Sequence, residues 1–249
     1  MVGTGPGARD LVTPRAANAI RHADVIAGYR TYLDLVRDFI SEEQEVLSSA
    51  MMQEVDRCKK ALEAASEGRN VALVCGGDPG IYAMAGLVFE LARSVSQNSR
   101  AALPRIEIIP GIPALSSCAA ILGAPLMHDF AAVSLSDLLT PWELIEKRLH
   151  AAASADFVIV LYNPKSKKRT AHIGMAQEII LEYRDAQTPV GIVSAATRDA
   201  ESVELTTLQE MKGCEINMQT TVIVGNTKTF AWDGHMVTPR GYDEKYRLE

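Results

Sequence analysis

Val71-Ala72-Leu73-Val74-Cys75-Gly76-Gly77-Asp78-Pro79-Gly80-Ile81-Tyr82 is the stretch that decides the fold class. Five apolar residues without polar alternation predict a strand buried on both faces, as in a parallel sheet. The run breaks at two glycines, an aspartate, a proline and a third glycine, and a helical pattern resumes near Tyr82 and runs to about residue 95. A buried strand whose carboxyl end opens into bare backbone and one carboxylate is where open α/β sheets bind small molecules. Glycine there lets a ligand approach the main chain. Asp78 has two readings: an N-cap for the following helix, or an acceptor for a ligand's hydroxyl or cationic groups.

Upstream, Gly3-Thr4-Gly5-Pro6-Gly7 offers a second glycine loop, and the spacing Gly3, Gly5, Ala8 also fits a dinucleotide-binding fingerprint. That fingerprint needs a full preceding strand, a helix opening inside the loop, and an acidic residue ending the second strand. Here Pro6 disturbs the loop, the first good helix start is Thr13-Pro14, and Asp24 precedes the strand Val25-Ile26-Ala27. The fingerprint fails on context. With two residues before Gly3, the first strand is either very short or continues one that begins earlier in a longer chain.

Further elements follow in alternation. Helices are expected at 14–22 and 52–66, the latter with Val55, Cys58, Leu62 and Ala65 on its apolar stripe; strands are expected at 45–47 and 105–109. The last of these runs into Pro110-Gly111-Ile112-Pro113-Ala114, a third loop of small residues. Strand–helix alternation predicts a mainly parallel sheet with helices on both faces. Gly123-Ala124-Pro125-Leu126 combines turn formers with a break in periodicity, which divides the chain into α/β domains at 1–124 and 125–249. In the second half, strands are expected at 131–135, 157–161, 190–193 and 221–224, with a further one at 203–208. Thr140-Pro141-Trp142-Glu143 has the form of a capping box for a helix to about residue 153, and another helix spans about 170–183.

Composition excludes several classes. Hydrophobic residues at 47% and charged residues at 22% argue for a globular chain rather than a disordered one. A formal net charge of −6 gives no global basic field for nucleic acid. No apolar run approaches the roughly 18 residues of a membrane span, and no signal-peptide pattern opens the chain. Cys58, Cys75, Cys118 and Cys214 form no CxxC pair and read as reduced thiols in a cytoplasmic protein, and the five histidines show no metal-ligand spacing. There is no GxxxxGK[ST] phosphate loop and no GxSxG elbow. What remains is three glycine- or proline-broken loops, which in a parallel sheet would share one edge.

Those loops, taken with Gly123-Ala124-Pro125-Leu126 and Leu161-Tyr162-Asn163-Pro164, resemble the successive landmarks of the tetrapyrrole (precorrin) methyltransferases over essentially the whole chain. Within that family, His128-Asp129-Phe130, the segment 134–142, Lys167-Lys168-Arg169 and Thr238-Pro239-Arg240-Gly241-Tyr242 resemble the branch of corrin-ring biosynthesis that methylates C17 of precorrin-3B or cobalt-precorrin-3. Aerobic and oxygen-independent versions both remain open. The resemblance implies a homodimer of two α/β/α domains, with S-adenosylmethionine in a cleft between them and no protein-bound metal. Matched position by position, it places the cofactor against Pro6, Gly76, Gly77, Asp78, Ile81, Pro113, Ala114, Asn163, Gly191, Thr220 and Thr221. Relatives often carry threonine where Pro113 stands, so only main-chain and apolar contact is expected there.

The acceptor implied is a macrocycle rich in carboxylates, and an acidic protein must then concentrate positive charge locally. Arg15, Lys167, Lys168 and Arg169 are the candidates, with Lys165, Arg9 and Arg240 behind them; a solvated basic turn is the competing account. The branch is also associated with ring contraction, which calls for proton transfer, and His128 with Asp129 could supply it, with Asp137 and Tyr82 as further candidates. A hinge histidine satisfied by backbone is the competing account for His128. Alternatives for the whole chain are a methyltransferase of this fold acting on another precorrin position, and a non-catalytic tetrapyrrole- or nucleotide-binding protein.

Overall fold

In the computed structural model, which describes residues 1–50, 52–98 and 103–247, the strand at 71–75 lies inside a four-stranded parallel sheet. Contacts divide the chain into two units, Met1–Ala114 and Leu115–Glu249. The first contains β1 (Val2–Gly3), α1 (Pro14–Arg21), β2 (Val25–Tyr29), α2 (Arg30–Leu35), β3 (Glu45–Ser49), α3 (Glu54–Ser66), β4 (Val71–Cys75) and α4 (Ala85–Asn98). Strand order is β1-β4-β2-β3, every pair parallel. Side chains alternate across β4. Ala72 and Val74 join Ala16, Ile20 and Ile26 on one face, while Leu73 and Cys75 join Cys58, Ala61 and Val88 on the other. Both faces are therefore covered, which is why β4 reads as an unbroken apolar run.

Local signals explain most boundaries. Thr13 caps α1, its Oγ1 accepting from the Ala16 N–H at 3.2 Å, and Pro14 occupies the first turn. Strand β1 is two residues long and lies between β4 and Ile109, whose N–H donates to the Met1 carbonyl at 2.9 Å. The strand expected at 105–109 reduces to that single bridge, Val2 with Ile109. Helix α4 begins three residues later than expected because Tyr82 has φ +49°, a left-handed conformation no right-handed helix accepts. The buried face of α3 is Arg57, Cys58, Ala61 and Ala64, with Val55 exposed, so the expected stripe is rotated. Arg57 causes the difference. Its guanidinium is buried against the Ser49 hydroxyl, the Ala50 carbonyl and Met84 Sδ, and hydrophobicity gives no sign of an inward arginine.

The second unit holds α5 (Ala114–Leu122), whose first residue falls at the division, then β5 (Gly123–Ala124), β6 (Phe130–Ser134), α6 (Trp142–Ser154), β7 (Val158–Tyr162), α7 (His172–Leu181), β8 (Pro189–Ser194), β9 (Ser202–Thr207), β10 (Thr220–Val224), β11 (Phe230–Trp232), β12 (His235–Val237) and α8 (Tyr242–Lys245). Its five-stranded sheet has the order β6-β7-β10-β8-β9, and only β6 with β7 is parallel. The mainly parallel arrangement expected from the first half holds in the first unit's sheet and does not extend to this one. Strand–helix alternation stops after α7, and strands joined without a helical crossover pair antiparallel. The turn formers at 123–126 begin in β5, which pairs with β12 in a separate three-stranded sheet of the second unit. The hairpin β11–β12 escaped the sequence reading. Its signal is Asp233-Gly234, both left-handed at φ +47° and +75°, the pattern of a two-residue I′ turn. Nor does the capping box form: Pro141 is the N-cap of α6 and no side chain caps it.

All four cysteines are free; Cys58, Cys75 and Cys118 are buried and Cys214 is half-exposed. Burial pushes the thiols of Cys58, Cys75 and Cys118 from the ordinary 9.0 up to about 11. A thiol that ionises less readily in the folded state favours folding below its unfolded value and loses that contribution as pH rises toward the folded one. Stability should therefore decline between pH 9.0 and about 11, and a variant with these three cysteines replaced by alanine should show a shallower decline. Urea midpoints across that range, read for both proteins, provide the check.

Candidate active site

In the first unit the three broken loops meet through bare backbone. Gly5 and Gly77 exchange two main-chain hydrogen bonds, Gly5 N–H to Gly77 O at 3.2 Å and Gly77 N–H to Gly5 O at 2.8 Å. Gly3 N–H donates to Ile109 O at 2.9 Å, joining the third loop. A Cβ on Gly111 would lie 2.1 Å from Gly77 O, and one on Gly3 would lie 2.5 Å from Gly111 N. No side chain fits at either position. A Cβ on Gly77 would instead stand in ordinary contact with Pro113 Cα, Ile112 O and Ala114 N, at 3.7 to 3.9 Å, and φ at Gly77 is +65°.

Asp78 completes this junction. Its Oδ1 accepts from Gly80 N–H at 2.8 Å and its Oδ2 from Gly111 N–H at 3.1 Å. The carboxylate thus closes its own turn and ties the second loop to the third. It is not an N-cap, since α4 starts seven residues later. Two of the roughly four lone-pair directions of a carboxylate remain for a ligand. Pro6 is buried, Gly76 packs under the Tyr32 ring, and Ile81 N–H donates to Asp78 O at 3.3 Å. The structure therefore gathers Gly76, Gly77, Asp78, Pro113 and Ala114 around one strand edge, with Pro6 and Ile81 on the loops that form it.

In the second unit, register brings a second set together. Ser134 pairs with Tyr162, Val222 pairs with Leu161, and Thr220 pairs with Ser194. One edge of the five-stranded sheet therefore carries Ser134, Tyr162 with Asn163, Thr220 with Thr221, and Ser194. Asn163 is left-handed at φ +51°, and its Nδ2 donates to Ser134 Oγ at 3.0 Å. Thr220 and Thr221 are buried; the Thr220 and Ser194 hydroxyls share a short hydrogen bond, and Asn217 N–H donates to Thr220 Oγ1 at 3.0 Å. Gly191 lies inside β8, where a Cβ would meet Leu122 Cδ1 at 2.3 Å, so its smallness serves core packing.

The candidates for proton transfer separate. His128 and Asp129 precede β6, and Asp129 O accepts from Val158 N–H at the start of β7, so they lie at the opposite edge from Ser134 and Asn163. His128 Nδ1 accepts from the Asp129 N–H at 2.8 Å, and the two side chains are 3.8 Å apart. Asp137 stands at the Asn163 edge, with Oδ2 3.0 Å from His172 Nε2 and Oδ1 4.0 Å from Arg169 Nη1. Among the basic candidates, Lys167 and Lys168 are exposed and Lys165 half-buried, but Arg169 is folded inward. Its Nη1 donates to Ser136 Oγ at 3.3 Å and its Nη2 to Asn163 O at 2.9 Å. Arg15 pairs with Glu107 and Arg9 with Asp38. Ser136 and His172 were not singled out from sequence, and nothing in their spacing marks them.

The chain belongs to the tetrapyrrole (corrin/porphyrin) methylases, whose family description matches residues 1–212. Enzymes of this family use S-adenosylmethionine. Among curated relatives, the chain is 49% identical to a cobalt-factor III methyltransferase of Priestia megaterium over 100% of this chain but 46% of that protein, so it spans about half of that relative's length. It is 46% identical to a probable cobalt-factor III C(17)-methyltransferase of Salmonella typhimurium, over 97% of this chain and 98% of that one. Among solved structures it matches the methyltransferase CobJ with a TM-score of 0.87 and 38% identity, over 96% of this chain and 98% of that chain.

Two substitutions test the junction, and a third, outside it, serves as the control. Gly111→Ala should lower stability by about 1–3 kcal/mol or more, because its Cβ collides with backbone rather than with a movable side chain. Gly174→Ala in α7, with nothing within 4 Å of the added Cβ, should instead raise it, by about 0.5–1 kcal/mol. Urea midpoints in the reverse order would refute the packing account. Asp78→Asn, which turns one acceptor oxygen into a donor facing an N–H group, should cost about 1–3 kcal/mol, and an unchanged midpoint would show that the carboxylate does not tie the loops.

Proposed function

We propose that the chain is an S-adenosylmethionine-dependent C-methyltransferase of cobalamin biosynthesis, acting at C17 of precorrin-3B or cobalt-factor III with associated ring contraction. The observation that carries this is the Salmonella relative, matched from end to end in both chains and named for that carbon. The first unit fits the requirement for a cofactor site. Where a Cβ on Gly77 would stand, main-chain atoms of Pro113, Ile112 and Ala114 lie 3.7 to 3.9 Å away, and the Asp78 carboxylate lies beside them on Gly111 N–H.

When bound, S-adenosylmethionine supplies an activated methyl on a cationic sulfur. The protein's contribution is then orientation and exclusion of water, which for well-aligned reactants is worth about 7–11 kcal/mol of the barrier. Gly76, Gly77, Asp78, Ile81, Pro113 and Ala114, with Pro6, would hold the cofactor in the first unit; Asn163, Thr220 and Thr221 are the candidates carried by the second. Gly191 would act indirectly, by seating Leu122. For the anionic macrocycle, the exposed Lys167 and Lys168 are the steering charges, while Arg169 serves the fold of the loop that carries Asn163. A cytoplasmic homodimer without a resident metal completes the proposal.

Purified protein should bind S-adenosylmethionine by calorimetry and add one methyl group to precorrin-3B by product mass. No methyl gain with either precorrin-3B or cobalt-factor III would reject the substrate assignment. Lys167→Gln with Lys168→Gln, leaving Arg169 in place, should weaken macrocycle binding several-fold, roughly 1 kcal/mol for two exposed charges, and more at low salt. Cofactor affinity should not change, and equal macrocycle affinity at low salt would remove these lysines from the site.

A further inference from the structure

The second unit contains a polar cluster that the chemistry above leaves unused. Asp137 lies on the loop after β6 and faces His172, the first residue of α7, with Oδ2 3.0 Å from Nε2. The histidine ring packs edge-on against Trp142, centroids 4.7 Å apart at 81°, and its Nδ1 is buried with no hydrogen-bond partner. Arg169 closes the other side, anchored on Ser136 Oγ and Asn163 O. The imidazole side chain is 16% exposed and the Asp137 side chain 45%. Asp137 is thus the accessible member, and His172 is the group locked behind it. His128, at the far edge of the same sheet, has its Nδ1 committed to backbone instead.

Methyl transfer from a sulfonium to a neutral carbon has a proton to dispose of. The acceptor's electron pair forms the new C–C bond, the S–C bond breaks, and its pair stays on sulfur as a neutral thioether. The positive charge passes to the macrocycle and is discharged when one C–H or N–H bond there breaks, leaving its pair in the ring. That proton needs a base on the protein.

Resting on the C17-methyltransferase reading, we propose that Asp137 takes this proton and that His172 is its positioning residue. With Nε2–H donated to Oδ2, His172 fixes the plane of the carboxylate and leaves Oδ1 toward Arg169 and solvent. Trp142 holds the ring against rotation. A carboxylate fixed in this way keeps one oxygen presented to a ligand, as a general base requires.

The full-length chain is assayed with S-adenosylmethionine and precorrin-3B, as wild type and as Asp137→Asn, His172→Phe and His172→Gln. Asp137→Asn should lower kcat about 100-fold and His172→Phe about 10-fold, with cofactor affinity and macrocycle KM within about twofold of wild type. His172→Gln, which keeps an N–H donor, should recover to within about threefold of wild-type kcat. A His172→Phe enzyme with wild-type kcat overturns the proposal. So does a loss that appears in KM or cofactor affinity, or one that glutamine does not restore, since each marks a purely structural histidine. If wild type itself adds no methyl to precorrin-3B, the failure belongs to the substrate assignment.

Discussion

Main chain packed on main chain at Gly3, Gly77 and Gly111 is the constraint on which the first unit's site depends. A Cβ at Gly3 or Gly111 would stand 2.1–2.5 Å from backbone atoms of a neighbouring loop. Packed interiors do not absorb such overlaps by a side-chain shift when the obstacle is backbone. The glycines therefore do two things: they let the ends of β1 and β4 converge with the loop after Ile109, and they leave backbone rather than side chains along the edge they form. Asp78 reinforces the junction by bonding the amides of Gly80 and Gly111. A site of this kind offers shape and fixed dipoles rather than reactive side chains, which suits a reaction whose leaving group arrives already activated.

The second unit solves a similar problem with side chains. Its sheet edge carries an aspartate, a histidine, an inward arginine, two serines and a left-handed asparagine within one hydrogen-bonded cluster. Arg169 shows what sequence charge leaves open. It belongs to a basic run offered for an anionic macrocycle or as a solvated turn; the two lysines before it are exposed, while its guanidinium joins the Asn163 loop to Ser136. In the fold that guanidinium holds the loop conformation through Ser136 and Asn163.

Elements with strong local signals were legible. The apolar run at 71–75, the Thr13-Pro14 start of α1 and the meeting of three glycine loops all follow from rules about single segments or from parallel topology. Readings that required knowledge of a partner fared worse. Helix α3 turns its buried face because Arg57 finds acceptors on Ser49 and Ala50 and a sulfur on Met84. The second sheet is largely antiparallel because β10 enters between β7 and β8, a pairing invisible along the chain. The Asp233-Gly234 hairpin was readable and was missed.

By itself the sequence determined the α/β class, the family resemblance and the glycine-lined edge, because each is written in short segments whose backbone has few alternatives. Register was decided only in three dimensions. It set which polar residues share the edge of the second sheet, separating His128 and Asp129 from Asp137 and bringing His172 beside it. Side-chain partnership between residues 35 positions apart depends on strand order and loop path, and neither leaves a periodic trace in the chain.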